Sequence, residues 1–238
     1  MLNDELLIYL FEEKPHILAG PMNTWLASSR RFASFVSTFR DKIRKKLRVT
    51  KDQETLQNLR LELETAYLLL QERALRVVYE PEHSGPGRSP DFAVSFTTSL
   101  TFMVEVTRLR GVLTGTIPAE GERLADAICS KLGQFPPQRS NVLIVGTDDL
   151  YMTHNELQAV MLRLQQRAER SDSTFWQRYG FRDRAGFFQQ YQRLSEVLVR
   201  GSQSQAGRSA LAWTNPQARQ PLPGKARTAL YRSHALKV

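Results

Sequence analysis

Two short runs constrain this chain more than any other part of it: Ser89-Pro90-Asp91-Phe92-Ala93-Val94-Ser95-Phe96 and Leu100-Thr101-Phe102-Met103-Val104-Glu105-Val106-Thr107. Both read as strands, joined by a tight turn near 97–99. Each carries one carboxylate in an otherwise apolar setting. Strand side chains alternate faces, so Met103, Glu105 and Thr107 share one face, and Phe102, Val104 and Val106 the other. A carboxylate among Met, Val and Thr is costly to bury unless something pairs with it or binds it. Two such groups on adjacent strands can share one hard cation, such as Mg²⁺.

The flanking sequence predicts an α/β domain. Residues 52–73 form a helix with Asp52 as its N-cap and Leu56, Leu59, Leu63, Ala66, Tyr67 and Leu70 as its apolar stripe, flanked by Glu62 and Glu64. Residues 76–80 are a strand. A helix over 119–135 places Lys131 and Gln134 three apart and therefore on one face. The apolar run 141–146 has the pattern of a strand buried on both sides. The Gly-Pro-Gly loop at 83–88 has no following G-K-[ST] and no helix, which excludes a P-loop.

Outside this middle the pattern is helical. A short helix is expected over 3–13, interrupted by Pro15 and Gly20-Pro21, and a long one over about 23–47. Further helices are expected from 153 onward, the last over 185–199, followed by a Ser/Gln/Gly linker and a basic, partly ordered tail. The expected organisation is a basic helical extension (1–51), a core (52–150), a helical addition (151–200) and the tail (201–238).

The 238 residues, 41% hydrophobic, suffice for one sizeable core. The net charge of +9 is unevenly spread: residues 30–51 hold nine Lys/Arg against Asp41 alone, and 200–238 hold seven with no acid. Blocks of this kind fit polyanion binding, with Arg40, Lys42, Arg44, Lys45, Lys46 and Arg48 as candidate nucleic-acid contacts. The alternative is a solvated helix face. With one cysteine, Cys129, no intrachain disulfide and no multi-thiolate zinc site can form. Cys129 falls on an apolar helix side, where an inert thiol is expected. The start of the chain is acidic and no apolar run approaches a membrane span, so the expectation is a soluble cytoplasmic protein without a membrane partner.

The order helix, strand, strand, strand, helix, strand, with Pro90-Asp91 opening the second strand and Glu105-Val106-Thr107 ending the third, resembles the PD-(D/E)xK nuclease superfamily. The runs "SPDFAVSF…TFMVEVTRL" and "KLGQFPPQRSNVLIVG" look like divergent members with Lys-x-x-Gln on the later helix. The resemblance implies a restriction-endonuclease-like αβββαβ core. It also implies that Asp91, Glu105 and the Val106 carbonyl bind Mg²⁺ or Mn²⁺, and that Glu64, or else Glu62, orients a water. The family lysine two residues after the acid is here Thr107, whose hydroxyl carries no positive charge. Lys131 is the substitute that the resemblance offers, with Gln134 and Thr107 beside it.

Three readings follow. One is a metal-dependent endonuclease on nucleic acid, DNA more than RNA. Another is a degenerate nuclease fold that binds nucleic acid or a protein partner without cleaving. The third is an interaction protein acting through its helical parts, with a homodimer possible.

Overall fold

The computed structural model describes residues 3–50, 52–82, 89–98, 100–109, 117–148, 152–170, 173–201 and 210–235. The loop expected at 83–88 lies outside them, as do 111–116 of the loop expected over 111–118, 202–207 of the linker expected over 201–207, Ser99 in the expected turn and Asp149; Ile117 and Pro118 belong to a helix and Gly201 to a strand.

The chain opens with α1 (Asn3–Phe11), α2 (Ala19–Ser28) and α3 (Arg30–Val49). The single helix expected over 23–47 is thus two. Ser29 is extended (φ −143°, ψ 106°) and its side chain accepts the Phe32 N–H, capping α3. Gly20-Pro21 does not interrupt a helix but sits in the first turn of α2, where a missing N–H costs nothing. Next come α4 (Gln53–Gln71), β1 (Leu75–Tyr79), β2 (Phe92–Phe96), β3 (Leu100–Arg108), α5 (Ile117–Leu132) and β4 (Asn141–Thr147), in the expected order. Asp52 caps α4 by accepting the Thr55 N–H.

Three more helices follow: α6 (His154–Glu169), α7 (Ser173–Tyr179) and α8 (Arg184–Tyr191). The expectation of one helix over 185–199 is corrected here. After α8 the chain turns into β5 (Leu194–Gly201), because Val197, Leu198 and Val199 pack on both sheet faces beside β4. The tail contributes β6 (Leu211–Thr214) and α9 (Gly224–Ser233).

The six strands lie in chain order, β1-β2-β3-β4-β5-β6. β1, β2 and β3 are antiparallel, β3, β4 and β5 parallel, and β6 antiparallel to β5. This is an α/β fold with a mixed sheet between helix layers. One core joins α1–α4 and α9 to the face carrying Tyr79, Phe92, Val104, Val106, Ile144 and Leu198. A second joins α5–α8 to the face carrying Leu143, Val145, Val197 and Val199. Near the end of β4, Gly146 allows α4 to come close: a Cβ there would stand 2.5 Å from Leu61 Cδ2.

Two buried charge sets lie on the first face. Glu196 of β5, 0% exposed, accepts from Arg227 Nε (2.7 Å), the Tyr231 hydroxyl (2.8 Å) and the Thr214 hydroxyl (2.9 Å). Arg200 pairs with Glu64 at 2.9 Å. Among the described residues, no helix is long and apolar enough to cross a membrane.

Candidate functional site

The β2–β3 register sets Phe92 opposite Val104, which places Asp91, one residue before β2, beside Glu105. Both are nearly sealed from solvent, at 4% and 2% exposure. Their contacts lock the pair. The Asp91 N–H donates to Glu105 Oε2 (3.3 Å), and the Val106 N–H donates to Asp91 Oδ2 (2.8 Å). Met103 and Leu109 give their N–H groups toward β4. Strand alternation therefore turns the amide and carbonyl of Val106 the other way, to the side of Asp91.

From the second helix layer, Lys131 in the last turn of α5 donates to Glu105 Oε1 at 2.6 Å, and to Gln134 Oε1 at 3.3 Å. From the first layer, Glu62 of α4 approaches. Lys46 Nζ (2.7 Å) and the Tyr79 hydroxyl (2.9 Å) both donate to its Oε2. A cleft of about 820 Å³ opens between the layers, lined by Lys46, Thr50, Thr55, Asn58, Glu62, Asp91, Val106, Thr107, Arg123, Asp126 and Lys131 among others.

The charges in this cleft are unevenly matched. Burial raises the Asp91 carboxyl above its ordinary range, and the nearby Glu62 and Glu105 carboxylates add to the rise; the Val106 N–H and Lys46 oppose it. Burial alone would lower the Lys46 ammonium, but Glu62 and Glu80 outweigh that and hold it above the usual lysine value. Burial, and then Glu62, push the Tyr79 phenol up, so it remains a donor.

Comparison of the chain with protein-family models, curated proteins and solved structures finds no match. The site is therefore read from its own donors. Among the described residues, no hydrogen bond reaches Asp91 Oδ1 or Glu62 Oε1. Nor do any three His, Cys, Asp or Glu side chains among them form a ready cage for an ion. An all-oxygen set of two carboxylates and a carbonyl fits the ligand chemistry of a hard cation that keeps several waters.

The structure thus brings Asp91, Glu105, Val106, Thr107, Lys131 and Gln134 to one place. Glu64 is not there: it pairs with Arg200 on the far side of α4, and Glu62 lines the cleft instead. The spacing held a signal for this choice. Thr55, Asn58, Leu59 and Glu62 recur at helical steps and form one cleft-facing stripe of α4. Arg108 alternates away from Glu105 and pairs with Asp148 at 2.6 Å. Cys129 is buried, and burial pushes its thiol up, as expected of an inert core residue.

The six candidate nucleic-acid contacts are mostly engaged within the chain. Arg44 and Arg48 donate to Glu12, and Arg40 stands 3.8 Å from Asp41. Lys42 donates to the Glu80 carbonyl at 2.7 Å, Lys46 pairs with Glu62 and Glu80, and Lys45 is exposed.

Sequence reading passed over Tyr79 and Glu80. Glu80 holds a left-handed backbone (φ 42°), a conformation that costs a non-glycine residue about 1–3 kcal/mol. There its N–H donates to the Asp91 carbonyl at 2.8 Å and its carboxylate meets Lys46 at 2.9 Å.

Proposed function

We propose that this chain is a divalent-metal-dependent phosphodiester hydrolase acting on nucleic acid, DNA more than RNA, with a divergent restriction-endonuclease-like core. The observation that carries the reading is Lys131 Nζ, 2.6 Å from Glu105 in the cleft that also holds Asp91. A lysine supplied by α5 takes the place that Thr107 leaves without charge. This is the pattern that the resemblance to PD-(D/E)xK nucleases implies.

Asp91, Glu105 and the Val106 carbonyl would hold Mg²⁺ or Mn²⁺, which supplies Lewis acidity toward a phosphate oxygen and lowers the pKa of water. The protein's own part is positional. Lys131 keeps a fixed positive charge where the phosphate oxygens gain negative charge, and Gln134 holds that ammonium in place. Glu62 presents an acceptor that can orient a water. Arg123, also lining the cleft, adds charge for phosphates flanking the scissile one, while Lys46 stays committed to Glu62 and Glu80.

The test is cleavage of labelled single- and double-stranded DNA and RNA with Mg²⁺ or Mn²⁺. Asp91→Asn and Lys131→Met are each expected to lower the rate by at least about 10²-fold. An Asp91→Asn protein that cleaves like wild type removes the proposal.

Binding without cleavage is the second reading. It is favoured by the same lysine, since Glu105 and Gln134 already engage its ammonium. Salt-sensitive binding of DNA, with no cleavage under any divalent metal, would establish it.

A further inference from the structure

Glu62 is held in an unusual way. Two donors from different elements, Lys46 Nζ of α3 and the Tyr79 hydroxyl of β1, converge on a single oxygen, Oε2, at 2.7 and 2.9 Å. The other oxygen takes neither, and the side chain lines the cleft with Asp91. The donors are themselves fixed. Tyr79 is fully buried, its ring 5.4 Å from Phe92 and 6.0 Å from Phe35. Lys46 lies over that ring, 4.8 Å from its centroid, and is tied to Glu80 at 2.9 Å. Glu80 adopts its left-handed backbone while donating its N–H to the Asp91 carbonyl. The set therefore runs from Asp91 through Glu80 and Lys46 to Glu62, with Tyr79 as the second hold.

A glutamate loses several rotamers' worth of freedom when ordered. Two donors on one oxygen fix the carboxylate plane and leave Oε1 as a single directed acceptor. A surface ion pair would need neither a buried phenol nor a left-handed residue. We propose that Tyr79 and Lys46 are positioning residues that aim Glu62 Oε1 at the Asp91–Glu105 site, where it orients water around a bound divalent cation. This inference rests on the metal-site reading above. It adds residues from outside the motif that suggested that reading.

The experiment is titration of Mn²⁺ into the full chain, by calorimetry and by the loss of the free-ion EPR signal, for wild type, Tyr79→Phe and Glu62→Gln. Tyr79→Phe keeps the ring and changes no charge, whereas Lys46→Met would also remove a positive charge beside the site, so Tyr79→Phe is the decisive variant. Outer partners of this kind alter metal affinity by about 10–100-fold, and Tyr79→Phe is expected to weaken Mn²⁺ binding by about tenfold, Glu62→Gln by at least as much. Thermal melts of the same samples separate this from damage to the fold. A lower melting temperature with unchanged Mn²⁺ affinity would give Tyr79 a packing role only and overturn the proposal. So would a Glu62→Gln protein that binds Mn²⁺ like wild type. If wild type binds no Mn²⁺, with or without an uncleavable duplex, the metal site itself falls and the positioning role falls with it. Binding by wild type with no effect of either variant would overturn the positioning role alone.

Discussion

Glu196 on β5 and Asp91 beside β2 are both almost sealed from water, at 0% and 4% exposure, yet the fold answers the two charges differently. Arg227, Tyr231 and Thr214 fill both oxygens of Glu196. Burial raises its carboxyl, and these three partners pull it back. Asp91 receives one backbone N–H on one oxygen, while two other carboxylates stand nearby. A charge matched within the chain serves the fold. A charge left partly unmatched beside a cleft has capacity for a ligand, since a cation arriving there relieves repulsion that is already present.

The sharpest break in this comparison is Glu196→Ala. It leaves the half-buried Arg227 guanidinium and the Tyr231 and Thr214 hydroxyls without their buried acceptor and should cost about 3 kcal/mol in a denaturant titration. Mn²⁺ affinity should stay as in wild type. A large effect on metal binding would mean that the two regions are not separable.

Acid should weaken the Glu196 side first. His234 caps the end of α9, the helix that supplies Arg227 and Tyr231. Burial, with Arg200 nearby, lowers its imidazole to about 3 from an ordinary 6.5. A group with a lowered folded-state value contributes fully above its unfolded value, and the contribution is lost as pH falls toward the folded one. Stability should therefore drop by about 2 kcal/mol between pH 6.5 and about 5. In His234→Gln this slope should shrink, as read by urea midpoints across that range.

Asp91→Asn should move stability the other way. Burial and two neighbouring carboxylates oppose its ionised form, so a neutral amide should gain about 1 kcal/mol at neutral pH while cleavage is lost. A destabilised Asp91→Asn protein would show that the Val106 N–H compensates the charge more fully than proposed. The smallest effect is expected at Ser29→Ala, which removes the α3 cap. It should cost about 0.5–1 kcal/mol in thermal melts, with Mn²⁺ affinity reduced only if the placement of Lys46 depends on the start of its helix.

The legible parts of the fold were those carried by local pattern. The run at 141–146 has one reading, and the alternation through Glu105 set its face without reference to anything distant. β5 was obscured by its own chemistry. Ser195, Glu196 and Arg200 interrupt its apolar residues, and Glu196 and Arg200 stand four apart, the spacing of a helical ion pair. Their partners are elsewhere: Arg227 and Tyr231 come from α9 and Glu64 from α4. The pairing of Arg200 with Glu64 also decides which glutamate reaches the cleft. The same holds for Tyr79, whose inward alternation in β1 is visible in sequence but whose bond to Glu62 is purely tertiary.

The strand order has a consequence for how the molecule is made. Each strand of the sheet lies beside its predecessor in the chain, so a polypeptide leaving the ribosome can add strands to one growing edge without threading back. Asp91, Glu105 and Lys131 have all emerged by the time β4 is complete. The first-face core, however, includes Ala226, Ala229 and Leu230 of α9, which follows β6 in the chain. The Asp91–Glu105 pair is thus in place before α9 emerges, and the first face is closed only after β6, so a nascent chain arrested before α9 should display its carboxylate pair while that apolar face is still uncovered.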